Sequence, residues 1–177
     1  MNMKAIVGAV LVFIMIGCTS VDQPMVHEGA SSEQTLFRKP LKDYSPFFQK
    51  IIGKEGSPFR GITMGMKMSE VRAVEEAHHE ETDSLTVRYD FEDGIANNVE
   101  VEYLFSQDSV LESMDLTVFC ARSNFRDSLF ADLKNYISQR EKIVGNDSLF
   151  NWKFEGGRVE VKKGGIPEFP EITILYR

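Results

Sequence analysis

The chain is poor in the residues that staple or ligate. Two cysteines, Cys18 and Cys120, permit at most one disulfide in 177 residues. A cross-linked framework is therefore excluded, and an exported domain would have to be held by its own core. Three histidines, His27, His78 and His79, are too few and too unevenly placed for a multi-histidine metal centre. Phosphate-binding glycine loops, G-x-S-x-G, H-E-x-x-H and dinucleotide fingerprints are all missing, which removes the enzyme classes those motifs serve. Basic side chains are the minority, 20 against 27 acidic, for a net charge of −7. Nucleic acid and anionic lipid surfaces would both repel such a chain, so no nucleic-acid partner is expected. Long apolar runs are also scarce: the one present, Ala5 to Ile16, has twelve residues. A membrane-spanning helix needs roughly 20.

That short run has the make-up of an export signal. Lys4 supplies a positive start, the apolar stretch follows, and Gly17 is a small residue before Cys18. Met15-Ile16-Gly17-Cys18 resembles the lipobox of bacterial lipoproteins, with methionine where leucine is usual. The resemblance implies cleavage before Cys18, acylation of its thiol and of the new amino group (palmitate-type chains), and a membrane partner reached through that lipid. Burial is worth about 0.8 kcal/mol per methylene, so several chains anchor far more firmly than one. Thr19 follows the cysteine, which resembles the sorting pattern of outer-membrane lipoproteins in the envelope of Gram-negative cells. Removing residues 1–17 takes away only Lys4 among the charges, and lipidation leaves Cys120 without a disulfide partner.

Residues 18–43 carry Pro24, Gly29, Ser31, Ser32 and Pro40 among scattered charges and read as a lipidated N-terminus and flexible tether. Residues 44–177 then form one domain of ordinary size. Tyr44, Phe47, Phe48, Ile51 and Ile52 follow helical spacing, and a helix is expected from about Met68 to His79. Three strands with clean period-two alternation come next: Leu85 to Phe91, Val99 to Phe105, and Met114 to Cys120. A helix from about Asn124 to Val144 carries Phe125, Leu129, Leu133, Ile137 and Val144 on one stripe, with Gly145 as its cap. Phe150, Trp152 and Phe154, then Val159 and Val161, then Ile172, Ile174 and Tyr176 mark three more strands. The expectation is an α+β, two-layer domain in the order αβββαβββ, with about six antiparallel strands and two main helices on one face. Asp83-Ser84-Leu85 recurs as Asp147-Ser148-Leu149, and Val99-Glu100-Val101 as Val159-Glu160-Val161, which suggests an internal duplication.

Gly65-Met66-Lys67-Met68-Ser69-Glu70-Val71 resembles the glycine–turn–helix entry of small exported α+β lipoproteins. These include accessory lipoproteins of outer-membrane barrel assembly and domains of the β-lactamase-inhibitor-like fold. Gly65, Glu70 and Val71 match that pattern; Lys67 stands at the expected cap, so Ser69 is expected to cap instead. The resemblance implies a fold and a compartment and carries over no binding residue.

Candidate chemistry is sparse. Glu75 and His79 stand four apart on the expected helix and could present a carboxylate and an imidazole to one metal ion. With no second ligand pair, a solvated acidic turn is the better reading, and no metal or cofactor is expected. Cys120 alternates inward and reads as a buried thiol rather than a nucleophile. Asp90 to Gly94 holds calcium-type residues without the alternating spacing of an EF-hand loop and reads as a turn. What remains is the outward face of the sheet, where Arg88, Glu100, Glu102, Leu104, Phe119 and Lys153 form a candidate binding face. The sequence thus points to a non-enzymatic module that binds a protein or another envelope component. An inhibitor- or immunity-type module, or an enzyme with an unrecognised site, are the alternatives.

Overall fold

A computed structural model of the chain describes residues 38–177, apart from 57–58, 76–78, 95 and 155–156, and describes only the backbone of 79–81. The leader, Cys18, His27 and most of the expected tether lie outside the described residues.

Packing begins at Leu41, which is buried within a short 3-10 turn, Leu41–Asp43. Helix α1 (Pro46–Ile52) starts where Ser45 Oγ accepts the Phe48 N–H at 3.2 Å and Pro46 presets the first turn. Its apolar side, Phe47, Phe48, Ile51 and Ile52, is buried. It stops at Gly53, whose φ of +74° suits glycine and whose missing Cβ would lie 2.4 Å from Arg60 Cα. Helix α2 (Met68–Val74) opens at Lys67 rather than at Ser69: the Glu70 carboxylate accepts the Lys67 N–H at 2.7 Å. The helix ends five residues earlier than its spacing suggests. After a segment that is not described, His79–Thr82 runs as an edge strand, β1.

Strands β2 (Thr86–Glu92), β3 (Asn98–Phe105) and β4 (Leu111–Phe119) follow as an antiparallel meander. They form because Val87, Tyr89, Phe91, Val99, Val101, Tyr103, Met114, Leu116 and Val118 all bury on one face at period two. Helix α3 (Ser123–Ser138) buries Leu129, Phe130, Leu133, Tyr136 and Ile137. It ends before Val144, which is 64 % exposed and pairs with Asn151 as part of a two-residue strand, β5 (Val144–Gly145). Gly145 is therefore a strand residue, not the cap of α3. Strands β6 (Leu149–Phe154), β7 (Gly157–Ile166) and β8 (Phe169–Tyr176) complete a second meander.

The class is α+β, with one correction to its count: among the described residues the sheet has eight strands, not six, and three helices. The order is β1-β2-β3-β4-β8-β7-β6-β5, every pairing antiparallel. The two meanders meet at β4 and β8, where Leu116 opposes Ile174 and Val118 opposes Ile172. Helix α2 precedes the first meander and α3 the second, so the two halves share one topology. Their first hairpins match in detail. Asp83 Oδ1 accepts the N–H groups of Leu85 and Thr86, and Asn146 Oδ1 accepts those of Ser148 and Leu149. The structural counterpart of Asp83 is thus Asn146, not the Asp147 of the repeated tripeptide.

All three helices cover the apolar face. Phe47 meets Phe91 and Phe125, Phe48 meets Tyr136, and Phe130 meets Phe150 at 5.2 Å edge to face. Cys120 is buried in this layer, and burial pushes its thiol up to about 11, which keeps it protonated and inert. Asn97 is a buried polar residue in the connection between β2 and β3. Its side chain donates to Asp93 Oδ2 and accepts the Ala121 N–H at 2.9 Å, tying that hairpin to the end of β4.

Candidate functional site

The opposite face of the sheet is covered by no described element. Cross-strand register arranges its residues in rows. Arg88, Glu102, Asp115, Leu175, Glu160 and Asn151 form one row from β2 to β6. Asp90, Glu100, Thr117, Thr173, Lys162 and Leu149 form the next. The face is therefore divided by charge. Its β2–β4 half carries Asp90, Glu92, Glu100, Glu102 and Asp115 against Arg88; its β6–β7 half carries Lys153, Arg158 and Lys162 against Glu160.

On the acidic half the face forms a trough of about 610 Å³, lined by Arg88, Asp90, Asn98, Glu100, Glu102, Asp115 and Thr117. Strand spacing makes it about 10 Å wide from β2 to β4. Leu104, 42 % exposed, stands beside Thr86 and Ser113 at one end; Phe119, 37 % exposed, stands beside Asn98 at the other. Arg88 pairs with Glu102 at 2.5 Å, and Arg177 reaches Asp115 Oδ2 at 3.7 Å. Asp115 Oδ1 is shielded from solvent and has no hydrogen-bond partner among the described residues. Burial holds the Asp115 carboxyl above its ordinary range, Arg177 pulls it partway back, and Glu102 adds to the rise.

Of the six face residues expected from the sequence, Arg88, Glu100 and Glu102 line the trough, while Leu104 and Phe119 stand at its ends. Lys153 shares the face but lies on β6, beyond β8 and β7, and belongs to the basic half. Asp90, Asn98 and Thr117 complete the trough; each occupies an outward slot of an alternating strand, which is the signal that places them.

The helix on which Glu75 and His79 were expected to stand four apart ends at Val74, before either residue. Glu75 caps α2 and its side chain is fully buried, whereas His79 opens β1 and its side chain lies outside the described residues. Glu75 instead receives a bidentate ion pair from Arg60, with Arg60 Nε donating at 2.7 Å, and a hydrogen bond from the Tyr103 hydroxyl. Arg60 also donates to the Lys50 carbonyl at 2.8 Å and lies over the Phe91 ring at 4.7 Å. Burial raises the Tyr103 hydroxyl well above its ordinary value, with Glu75 adding to the rise, so it stays a donor. The cluster joins α1, α2 and β3 through hydrogen bonds made within the fold. Sequence reasoning missed it because the partners stand 15 and 28 residues from Glu75 with no periodic link.

Among the described residues no group of three or more His, Cys, Asp or Glu is placed to hold a metal ion. No described helix is long and apolar enough to cross a membrane. Comparison with protein-family models, with curated proteins and with solved structures gives no match.

Proposed function

We propose that the chain is a lipid-anchored, exported binding module, tethered through Cys18 to the outer membrane of a Gram-negative envelope. It engages an envelope protein through its uncovered sheet face. The observation that carries the reading is the trough on β2–β4: a concave, charged surface with Leu104 and Phe119 exposed at its ends, on the face the helices leave bare. The lipobox-like Met15-Ile16-Gly17-Cys18 supplies the compartment.

Binding is favoured over catalysis by where the reactive groups went. Glu75 is neutralised inside the fold by Arg60 and Tyr103, and Cys120 is sealed as a thiol. The trough presents carboxylates, Arg88, Asn98 and Thr117 to solvent, with Leu104 and Phe119 exposed at its ends, the material of a recognition surface. Labelling cells with an alkyne fatty acid tests the anchor: wild type should take up label and partition with membranes, and Cys18→Ala should do neither. Label on Cys18→Ala would contradict the anchor. Pull-downs from solubilised envelopes test the face: wild type should retain a partner that a variant with Glu100→Lys and Phe119→Asp loses.

A further inference from the structure

We infer that the trough over β2, β3 and β4 receives a cationic segment of a partner protein, one that presents lysine or arginine side chains beside an apolar side chain. The inference rests on the reading of the open face as a binding surface, and narrows it to one half of that face and one partner chemistry.

Three independent features converge. The first is repulsion built into the register: Asp90 stands directly opposite Glu100, and Glu102 directly opposite Asp115. Like charges facing each other across an antiparallel pair destabilise a sheet. Arg88 answers Glu102 and Arg177 reaches Asp115, while Glu100 makes no ion pair among the described residues. A cation seated between the strands converts each repulsion into attraction. The second is the Asp115 carboxylate, which lines the trough with its side chain 40 % exposed. Its Oδ1 is turned away from solvent and has no donor among the described residues, and Arg177 lies 3.7 Å from Oδ2, which leaves the exposed edge of the group open to a cation from the trough. The third is apolar: Leu104 and Phe119 stand at opposite ends of the acidic floor, each more than a third exposed. Side chains of that kind shield charge pairs from water and give a docked segment an apolar contact.

The chemistry also selects against other ligands. Among the described residues no group of three or more carboxylates, histidines or cysteines is placed to hold a bare metal ion, which favours positive charge carried on side chains. Lys153, Arg158 and Lys162 repel a basic segment from the other half of the face and fix it over β2–β4.

The test uses the unlipidated Cys18→Ala protein, isotope-labelled for NMR. The probes are a lysine-rich peptide of about twelve residues with one central leucine, and its glutamate counterpart. The expected result is amide shifts at Asp90, Glu100, Glu102, Thr117 and Phe119 with the lysine peptide alone, weakening with salt. Glu100→Gln combined with Asp115→Asn should weaken binding at least tenfold while raising Tm, a pairing that a structural role for these carboxylates would not give. Equal binding of both peptides, shifts confined to the helix layer, or wild-type affinity in the double variant would overturn the inference. A photo-crosslinker at Thr117, and another at Lys153 on β6, separates the two levels in native envelopes. Adducts from Lys153 together with a silent lysine peptide would leave the broader reading standing and sink this one. No adducts from either position would sink both.

Discussion

Truncating Glu75 to alanine should cost the domain about 3–5 kcal/mol, because it strands the Arg60 guanidinium in the interior with its counter-charge removed. The two side chains are 0 % and 11 % exposed, so water cannot replace the lost partner without opening the junction between α1, α2 and β3. The Tyr103 hydroxyl loses its acceptor at the same time. For a domain of this size each kcal/mol moves Tm by about 3 °C, so the midpoint should fall by about 10–15 °C. Thermal and urea unfolding of the Cys18→Ala protein, followed by circular dichroism, measure it. A double-mutant cycle with Arg60→Ala should return a coupling of about 2–3 kcal/mol. Replacing all three groups, Arg60→Met with Glu75→Leu and Tyr103→Phe, should recover much of the loss, since an apolar set of similar volume leaves no stranded charge. A loss below about 1 kcal/mol for Glu75→Ala would refute the reasoning, for it would mean that Arg60 finds solvent at no cost.

Phe48→Ala should cost about 3–5 kcal/mol in urea unfolding, because Phe48 is fully buried and touches both Tyr44 and Tyr136. Gly53→Ala should cost more than about 1 kcal/mol by the same assay, since its φ is +74° and the added Cβ would meet Arg60 backbone. Glu100→Gln should instead stabilise by about 0.2–1 kcal/mol by relieving the Asp90–Glu100 opposition; a destabilised variant would contradict the reading of that pair. The Asp115 carboxyl titrates above its ordinary range, so the folded state holds its proton more tightly than the unfolded chain. Stability from this group is full at acid pH and declines as pH rises through the window above the ordinary carboxylate value. Asp115→Asn should remove that decline, as parallel unfolding curves across pH would show. Cys120, with its thiol near 11, should react with an alkylating reagent at pH 8 about 100-fold more slowly folded than in denaturant.

The sheet was legible wherever one face is wet. Val87, Tyr89 and Phe91 against Arg88 and Asp90 fix strand, face and candidate site together, because a period of two admits no other arrangement. The trough residues follow from the same alternation. The edges were not legible. His79–Thr82 holds charged and polar residues and continues a helical pattern, yet it runs as a strand beside β2. An edge strand is set by the strand it borders, and polar residues there are normal. Val144 fits the stripe of α3 by spacing alone, but the helix has ended and the residue pairs with Asn151. The order of strands depends on the pairing of β4 with β8, more than 50 residues apart, which no local pattern encodes. Glu75 shows the same limit from inside the core: a glutamate in an acidic run reads as solvated until Arg60 and Tyr103 arrive from elsewhere in the chain.

Site-directed photo-crosslinking in native envelopes tests the central claim, that the bare face of the sheet is the working surface. A photoreactive residue at Thr117 in the trough, or at Phe119 at its end, would be compared with one at Asp132 or Ser128 on α3. The account predicts one discrete adduct from the sheet positions, lost when Glu100 and Glu102 are changed to lysine, and none from the helix. An adduct from α3 with the sheet positions silent would contradict it.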